Sequence, residues 1–516
     1  MPSAIVSLII GLGVLYLARS FWTRKKTPAA LPPGPSPKPI IGNLGDLPPA
    51  GVPEWEHWAK YKELYGPISS INVFGATIVI LNDARLAFDL LEKRSAIHSS
   101  RPSLEFANMS GWDRILGSML YSDSFRATRK YLHRQIGANV SVARFDNIQE
   151  AEVRRFLLRL LKQPNDLVHH IRKEAGAIIL KVGYGYTIEP HDRDPLVDLA
   201  DKAMEEFSIA IMPSAFTVNF VPILKYLPSW FPGAGFQQVA KKFKQNVSAF
   251  SDKPYHFVKQ SMAKKEFEPS FLSRLLDEVQ FEPGSEDEQV VKWSAASLYA
   301  GGSDTTVSTL ACFFLAMTLY PEVQKKAQAE IDQVVGSSRL PGFEDRDNLP
   351  YINATVKELL RWHPVAPSGV VHMSLEDDIC DGSFLHDPDT YPDPMAFKPE
   401  RFLEYDDHRP ERDPHLIAFG FGRRVCPGRS LASSNVYLSV AQTLAVFNIA
   451  KAIRDGKEVD VQPRFLPGII SHPVPFDCTI KPRSAGHEEL IRAAEKEYPW
   501  EKSHASDLAQ INIGGQ

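Results

Sequence analysis

The sequence Phe419-Gly420-Phe421-Gly422-Arg423-Arg424-Val425-Cys426-Pro427-Gly428 forms a glycine-rich loop around one cysteine, and an apolar run at 431–445 follows it. Glycine allows backbone conformations closed to other residues, so such a loop can approach a flat cofactor and direct N–H groups at the sulfur. The adjacent arginines favour the thiolate over the thiol and can pair with carboxylates. The loop can therefore hold a thiolate against a metal, although a lone cysteine is more often an inert, buried packing residue.

The spacing of this loop is F-x-x-G-x-R-x-C-x-G, with Phe419, Gly422, Arg424, Cys426 and Gly428 at the fixed positions. It resembles the haem-binding loop of the cytochrome P450 family. The resemblance implies that Cys426 is the axial metal ligand of haem b (iron protoporphyrin IX) and that Arg424 meets a haem propionate. It also implies that Phe419, Gly422 and Gly428 shape the loop against this cofactor.

The composition indicates a globular protein without a nucleic-acid partner. The 516 residues are enough for two average domains or for one large domain. The 58 basic and 62 acidic residues give a net charge of −4, and no dense run of Lys or Arg suggests nucleic-acid binding. The four cysteines, Cys312, Cys380, Cys426 and Cys478, contain no C-x-x-C pair. This spacing predicts neither a disulfide framework nor a zinc site and fits a reducing compartment.

The N-terminal segment predicts a membrane anchor. Residues 1–23 are mainly apolar and the basic cluster Arg24-Lys25-Lys26 follows them, which reverses the charge order of a cleaved signal peptide. About 17–20 apolar residues can span a bilayer, and the basic cluster should stay cytosolic. We expect a single-pass anchor in the endoplasmic reticulum membrane, with the catalytic domain facing the cytosol. Residues 24–43 form a basic, proline-rich hinge that should hold this domain near the membrane.

Residues 44–483 predict a mostly α domain with small β sheets. Two short β segments at 68–74 and 77–81 surround a turn, and helical spacing of apolar residues dominates after them. Clear examples of this spacing are 151–161 and 171–180. The family resemblance covers about residues 31–483 and implies the cytochrome P450 fold, preceded by one N-terminal transmembrane helix. The polar tail at 484–516 has no counterpart in the resemblance.

A long helix is predicted from Ser285 to Leu319, because Ser285 and Glu288 form a capping-box pattern. Its middle contains Gly301-Gly302-Ser303-Asp304-Thr305, where two glycines weaken the helix. Two helices that meet at a packing crossover are one interpretation. The resemblance implies the family's oxygen-activation motif instead, in which Thr305 holds dioxygen and its water while Asp304 relays protons, so both are candidate catalytic residues.

Two more cofactor-binding residues follow from the resemblance. Arg129 lies four residues after Phe125, as in the family's W-x-x-x-R helix, whose arginine meets a propionate. Phe125 replaces the usual tryptophan and lacks its N–H donor. His372 resembles the basic residue that reaches the other propionate from a pocket-lining strand at 365–372. A solvated basic face and a surface histidine are the respective alternatives.

Glu358, Arg361 and Arg401 are candidates for a structural network. Glu358 and Arg361 stand three residues apart, a pairing that is common and weak when exposed. The resemblance adds Arg401 and implies a buried Glu-Arg-Arg network behind the cysteine loop. Such a network is costly to break, because an unpaired buried charge would remain.

One departure from the family pattern lies at Phe384-Leu385. The family has additional β structure and a short helix at this point, whereas Phe384 runs straight into Leu385-His386 here. On the order of a dozen residues, two strands' worth, are missing relative to the family. Either the gene model omits sequence or the protein lacks part of a sheet, and we expect an omission caused by mis-splicing.

The resemblance implies a haem-thiolate monooxygenase that inserts one atom of O2 into an organic substrate. No G-x-G-x-x-G follows a strand, so electrons must come from a partner. The implied partner is NADPH-cytochrome P450 reductase, a separate flavoprotein, and Arg423, Arg424 and Arg429 could form part of its docking face. The apolar segment at 210–232 predicts a lid that contacts membrane lipid and admits lipophilic small molecules.

Several stretches, including Leu132-His133-Arg134-Gln135-Ile136-Gly137, are most similar to filamentous-fungal members of the family, the O-methylsterigmatocystin oxidoreductase type among them. This similarity implies a secondary metabolite as substrate, such as a polyketide, a terpenoid or an indole alkaloid. Two other functions remain open from the sequence. One is a thiolate-haem isomerase or dehydratase that needs no external electrons, and the other is a non-catalytic haem-binding relic.

Overall fold

The computed structural model describes residues 11, 31–49, 51–376, 390–405 and 407–511. The predicted anchor apart from residue 11, the basic end of the hinge at 24–30 and the predicted omission at 384–385 lie outside the described residues. Among the described residues, no single helix is long and apolar enough to cross a membrane. One bent helix pair, residues 286–319 with 321–334, meets the criteria of length and composition.

Helices make up most of the described chain, as the sequence predicts. In chain order they are α1 (Glu54–Tyr65), α2 (Ala84–Ala87), α3 (Ser95–His98), α4 (Glu105–Ser110), α5 (Asp123–Ile136), α6 (Asn139–Val142), α7 (Asp146–Lys162), α8 (Leu167–Tyr184), α9 (Pro195–Ala210), α10 (Phe236–Lys264), α11 (Phe271–Glu278), α12 (Glu286–Ser303), α13 (Thr305–Leu319), α14 (Pro321–Val334), α15 (Pro350–Trp362), α16 (His415–Ala418), α17 (Arg429–Val446), α18 (Ala485–Glu497) and α19 (Ala505–Ala509). The helices predicted at 151–161 and 171–180 are confirmed within α7 and α8.

The β structure consists of short antiparallel pairs. β1 (Ile68–Val73) pairs with β2 (Ala76–Leu81), so the predicted pair of segments is confirmed. Phe74 and Gly75 turn between them with φ values of 48° and 91°, as two-residue hairpin turns require. The remaining strands are β3 (Phe447–Lys451), β4 (Ile453–Arg454), β5 (Lys457–Glu458) and β6 (Cys478–Pro482), and they pair as β3 with β6 and β4 with β5.

The prediction of a β strand at 365–372 is wrong, because this segment forms no regular strand. Residues 365–372 form no β pair within the described chain, and the nearest pairing is an isolated bridge between Ser100 and Met373, one residue beyond the segment. Arg101 Nη1 donates to the carbonyl oxygens of Val370 at 2.6 Å and Val371 at 2.8 Å. Because a side chain occupies these carbonyls, they are not paired with a neighbouring strand.

The predicted long helix is present but interrupted. At its start, the Ser285 side chain accepts from the Glu288 backbone N–H, and the Glu288 carboxylate accepts from the Gly284 N–H. α12 ends at Ser303 and α13 begins at Thr305, with Asp304 between them at φ −129° and ψ −33°. A distortion therefore lies where the two glycines and Asp304 predicted one.

The two largest of four apolar clusters in the described core meet at this interruption. One cluster packs side chains of α5 and α8–α12, including Phe250, Phe271 and Tyr299. The other packs α7, α13–α15 and α17, including Phe313 and Tyr437. α12 contributes to the first cluster and α13 to the second, so the break lies at the junction of the two clusters.

The C-terminal tail folds against the domain. Ile491 and Ala494 of α18 are buried in the second cluster, whereas Leu508 of α19 is buried in the first. Between these helices, the Pro499 carbonyl accepts from Arg155 Nη2 at 2.7 Å. The tail, which the family resemblance left without a counterpart, therefore contacts both clusters.

Candidate active site

A cavity of about 2430 Å³ opens at the break between α12 and α13. The opposite wall is the loop at 419–428, which leads into the N-terminus of α17. The predicted site residues that line this cavity are Arg129, Thr305, His372, Phe419, Arg424, Cys426 and Gly428. The cavity therefore brings together the cysteine loop, the predicted oxygen-activating motif and the predicted propionate partners.

The cysteine loop is closed by backbone contacts that need glycine. The Cys426 N–H donates to the Phe419 carbonyl oxygen at 2.8 Å. Gly422 has a φ of +50°, and a Cβ at this position would collide with the Leu91 carbonyl oxygen. Its N–H donates to a carboxylate oxygen of Glu92 at 2.5 Å. Gly422 therefore fixes the loop from outside the cavity rather than facing a ligand.

Burial of Cys426 opposes ionisation of its thiol, whereas a backbone N–H and nearby arginines favour it. Burial raises the pKa of the Cys426 thiol, whereas the Gly428 backbone N–H and the nearby charges of Arg129 and Arg429 lower it. Protein groups alone therefore leave the thiol favoured. A metal cation at the sulfur supplies the positive charge that ionises a coordinating thiol.

Three arginines, one of them buried and two partly buried, share the cavity with Cys426. They are Arg101, Arg129 and Arg424. Burial, and then the neighbouring Arg424, lowers the pKa of Arg101 to about 9. Burial, and then Arg129, lowers the pKa of Arg424 to about 10. In the described parts of the chain no neighbouring carboxylate acts on any of the three charges. Buried charges without a counterion are costly, so this end of the cavity suits a ligand with carboxylates.

Carbonyl groups hold these guanidinium groups in place. Arg129 Nη1 donates to the Val425 carbonyl at 2.5 Å, which ties α5 to the cysteine loop. Arg101 Nε donates to the Gly117 carbonyl at 2.9 Å. Carbonyls satisfy N–H groups without neutralising the charge, so each arginine keeps its charge for a bound anion.

His372 lines the cavity but is poorly suited to bind a carboxylate. Its Nδ1 lies 2.7 Å from the His98 carbonyl oxygen, which can only accept, so Nδ1 carries the proton. Burial, and then the charge of Arg101, lowers the pKa of His372 to about 4. The ring is therefore neutral near pH 7 and its Nε2 has no proton to donate. Arg101, whose pKa of about 9 leaves it charged near pH 7, is the cation beside His372 at the cavity.

Thr305 and Asp304 face different surroundings. Thr305 lines the cavity, and its Oγ1 donates to the Gly301 carbonyl at 2.6 Å. The Asp304 carboxylate lies 3.1 Å from His472 Nε2, and its side chain is 10% exposed. A threonine hydroxyl at the cavity and the carboxylate of the preceding residue are both groups that can take part in general acid–base chemistry.

The segment that carries His472 is tied to α13. Ser308 Oγ donates to the Ser471 carbonyl at 2.5 Å, and Ser471 Oγ lies 2.9 Å from His363 Nε2. The Ser471 backbone N–H donates to the Val365 carbonyl at 2.8 Å. These contacts hold His472 beside Asp304.

Glu358, Arg361 and Arg401 lie together outside the cavity. Arg361 Nε and Nη2 donate to the two Glu358 oxygens at 2.7 and 2.8 Å, and Arg401 Nε lies 3.4 Å from the same carboxylate. All three side chains are at most 4% exposed. The Lys398 backbone N–H also donates to Glu358, so the network joins α15 to the segment that leads to the cysteine loop.

Sequence reasoning missed Arg101 and His472. Arg101 sits in a loop before α4 with no surrounding motif, and His472 is 168 residues from Asp304 in the chain. The sequence signals that exist are the Arg101-Pro102 dipeptide and the histidine after Ile470-Ser471, and neither is specific. Long-range packing brings both residues to the site.

A sulfur at the cavity wall, flanked by three arginines, fits a planar metal cofactor that carries carboxylates, and haem is such a cofactor. The class defined by this fold and site is the haem-thiolate oxidoreductases. The family model "Cytochrome P450" matches residues 32–480, and the chain belongs to the cytochrome P450 family.

Several curated relatives are similar over nearly their whole length. The chain is 52% identical to cytochrome P450 monooxygenase ppsD of Aspergillus oryzae and 45% identical to O-methylsterigmatocystin oxidoreductase of Aspergillus flavus, each over 99% of both chains. It is 46% identical to cytochrome P450 monooxygenase claR of Ampulloclitocybe clavipes, over 98% of this chain and 95% of the relative. The expected similarity to fungal members of the family is confirmed. The first two alignments span 525 and 529 positions, so they exceed the 516 residues of this chain by 9 and 13.

Proposed function

We propose that this chain is a haem b monooxygenase that inserts one atom of O2 into a lipophilic secondary metabolite. One observation carries the proposal, namely that Cys426 and three uncompensated arginines line the same cavity as Thr305. When bound, the haem supplies the oxidising chemistry, because thiolate donation favours O–O cleavage.

The residues of this chain would divide the remaining work. Arg101, Arg129 and Arg424 would bind the cofactor's carboxylates, and Cys426 would hold its metal. Thr305 Oγ1 would hold a proton at the cavity, and Asp304 would replace that proton from the side of His472. α12, α13 and the cysteine loop would exclude bulk water from this space.

The remaining lining of the cavity supports a lipophilic substrate. Large apolar side chains from α9, α12 and the segment at 469–470 face it, among them Met204, Phe207, Leu298, Ile469 and Ile470. Apolar walls with few polar groups favour ligands that bury carbon surface. Relatives named for a sterigmatocystin derivative support an aromatic polyketide as the first substrate class to test.

Isotope labelling tests the reaction. Membranes that contain this chain and a P450 reductase should convert a metabolite pool from a fungal host only with NADPH, and product formed under 18O2 should gain one labelled atom. The matched control is the Cys426→Ala protein in the same membranes. Product that forms equally well without NADPH would contradict the proposal and favour an isomerase or dehydratase.

Electron supply is proposed to come from NADPH-cytochrome P450 reductase. Arg423 and Arg429 flank Cys426 and are exposed, so they can face an acidic partner. Arg424, which the sequence placed on the same docking face, is partly buried and donates to three carbonyls instead. The proposed docking face therefore contains Arg423 and Arg429 without Arg424.

We also propose that the protein is anchored by residues 1–23 in the endoplasmic reticulum membrane, with its catalytic domain in the cytosol. The hinge lies beside β1, since Gly42 forms a bridge with Val73. Phe74, the next residue, contacts the ring of Phe220 in the apolar segment at 210–232. Ile223, Tyr226 and Trp230 of this segment are 67%, 76% and 79% exposed. The hinge and these apolar side chains therefore share one side of the molecule, which suits contact with lipid.

The proposed omission at 384–385 has support from the surrounding structure. Residues 76–82, which include β2, line the large cavity, and Val79 is 44% exposed. Ligand cavities usually measure about 300–1,000 Å³, so this cavity contains room beside β2 for more chain. The longer alignments with relatives agree with such a segment. Sequencing of transcripts across the junction tests this proposal, and a transcript without additional codons would refute it.

A further inference from the structure

Arg424 packs against an aromatic ring that the family resemblance marked as a departure. Its guanidinium carbon lies 3.8 Å from the centre of the Phe125 ring. Phe125 belongs to α5 and is 2% exposed. A guanidinium group over an aromatic face at this distance is attracted by the ring quadrupole, and the attraction increases when water is excluded.

Backbone carbonyls hold the same guanidinium along its edge. Nε donates to Ser99 at 2.6 Å, Nη1 to Leu116 at 3.3 Å and Nη2 to Met119 at 2.7 Å. A guanidinium has five N–H groups, so Nη1 and Nη2 each keep one N–H. The Phe125 ring lies over the Arg424 guanidinium and accepts none of its N–H groups as hydrogen-bond donors.

The neighbouring pair of residues repeats this arrangement. Arg423 lies 5.3 Å from the centre of the Tyr121 ring, and its Nη1 donates to the Tyr121 hydroxyl at 2.8 Å. Tyr121 and Phe125 are four residues apart, and their rings contact each other at 5.4 Å. Two consecutive arginines of the cysteine loop thus pack on two aromatic side chains, Tyr121 just before α5 and Phe125 in its first turn.

We propose that Phe125 is a positioning residue for cofactor binding, which holds the Arg424 guanidinium by a cation–π contact and leaves its two remaining N–H groups for a haem carboxylate. The proposal rests on the proposed haem-binding function. A tryptophan at this position would offer its own N–H to the cofactor. Phe125 has no donor and would act only through Arg424.

Fluorination of one ring separates this role from packing. Stepwise fluorination weakens the quadrupole of phenylalanine while its volume changes little. We would place 4-fluoro-, 3,5-difluoro- and 3,4,5-trifluorophenylalanine at position 125 of the full-length haem-loaded protein. Transfer of haem to excess apomyoglobin should accelerate at each step, by about threefold to thirtyfold over the series. The midpoint reduction potential should fall in the same order, because a less firmly held cation stabilises the reduced form less.

Phe271 provides the matched control. It is a fully buried phenylalanine that does not line the large cavity, so the same series there should leave haem transfer unchanged. Phe125→Leu removes the ring altogether and should transfer haem at least as fast as the trifluorinated protein. Fast transfer from Phe125→Leu together with a flat fluorinated series would overturn the proposal and leave Phe125 a packing residue. A parent protein without haem would instead refute the proposed function itself.

Discussion

At the scale of single residues, Arg101 and His372 are the two candidates for the side chain that binds the second haem propionate. Arg101 is a buried cation, whereas His372 is neutral near pH 7 because burial and Arg101 lower its pKa to about 4. Arg101→Gln should therefore accelerate haem dissociation about tenfold, as expected for loss of about 1.5–3 kcal/mol in a charge-assisted hydrogen bond after partial compensation. His372→Gln should change the rate less than about threefold. Stopped-flow transfer to apomyoglobin measures both rates, and the reverse order would restore His372 as the propionate partner.

Gly422 offers a second test at this scale. Gly422→Ala combines a left-handed backbone with a collision at the Leu91 carbonyl, so the loop must move and haem occupancy should fall severalfold. Gly456 is the matched control, since its φ is +74° but an added Cβ would meet open space. Gly456→Ala should cost about 1–2 kcal/mol of stability from the backbone alone and keep full haem occupancy. Equal haem occupancy in the two variants, measured by absorbance per protein, would show that the collision is relieved.

The sequence could predict the residues that a short motif carries. Cys426 and Thr305 lie in local patterns whose chemistry is readable from neighbouring residues, and the structure places both at the cavity. It could not predict that Arg101 lies beside His372 at the cavity, because their positions in space depend on a loop and a segment without regular β pairing. Nor could it predict that Phe125 faces Arg424. Helical spacing shows which side chains share one face of a helix, but it does not show which residues pack against that face.

At the scale of elements, α13 contains two threonines with the same local bond, Thr305 at the break that follows α12 and Thr318 near the other end of the helix. Thr305 Oγ1 donates to the Gly301 carbonyl at the cavity, and Thr318 Oγ1 donates to the Phe314 carbonyl in the core. Thr305→Ala should keep haem but divert most reducing equivalents to peroxide, because the cavity loses its proton-holding hydroxyl. Thr318→Ala is the control and should leave the ratio of peroxide to NADPH consumed unchanged. Product formation that stays tightly coupled in Thr305→Ala would remove Thr305 from the mechanism.

Helices were predictable where the sequence shows a helical repeat of apolar residues or an N-terminal capping motif. The cap at Ser285 and the glycines at 301 and 302 located the long helix and its interruption. The strand predicted at 365–372 failed because Arg101 takes two of its carbonyls, an interaction between residues about 270 positions apart. The folded tail at 484–511 was not foreseen, since its buried face has only a few apolar residues such as Ile491 and Leu508.

At the scale of the whole molecule, the Glu358 network joins α15 to the chain that enters the cysteine loop. Glu358→Gln leaves Arg361 and Arg401 buried without a full counter-charge and should reduce the free energy of unfolding by about 3–5 kcal/mol. Arg492→Gln, which breaks the exposed pair with Glu488 on α18, should cost less than about 1 kcal/mol. Urea denaturation of the two haem-loaded variants measures the difference. Similar losses would mean that the network contributes no more than a surface pair.

The proposed haem binding and oxygen chemistry of this protein would depend on one bond, from the Cys426 sulfur to a haem iron. The carbon-monoxide difference spectrum of the reduced, full-length protein tests this bond most directly, with Cys426→Ala and Cys478→Ala measured beside it. We predict a thiolate-type band for the parent and for Cys478→Ala, whose cysteine lies in β6, and loss of this band in Cys426→Ala. The same thiolate-type band in Cys426→Ala, or a parent protein that binds no haem, would contradict the account.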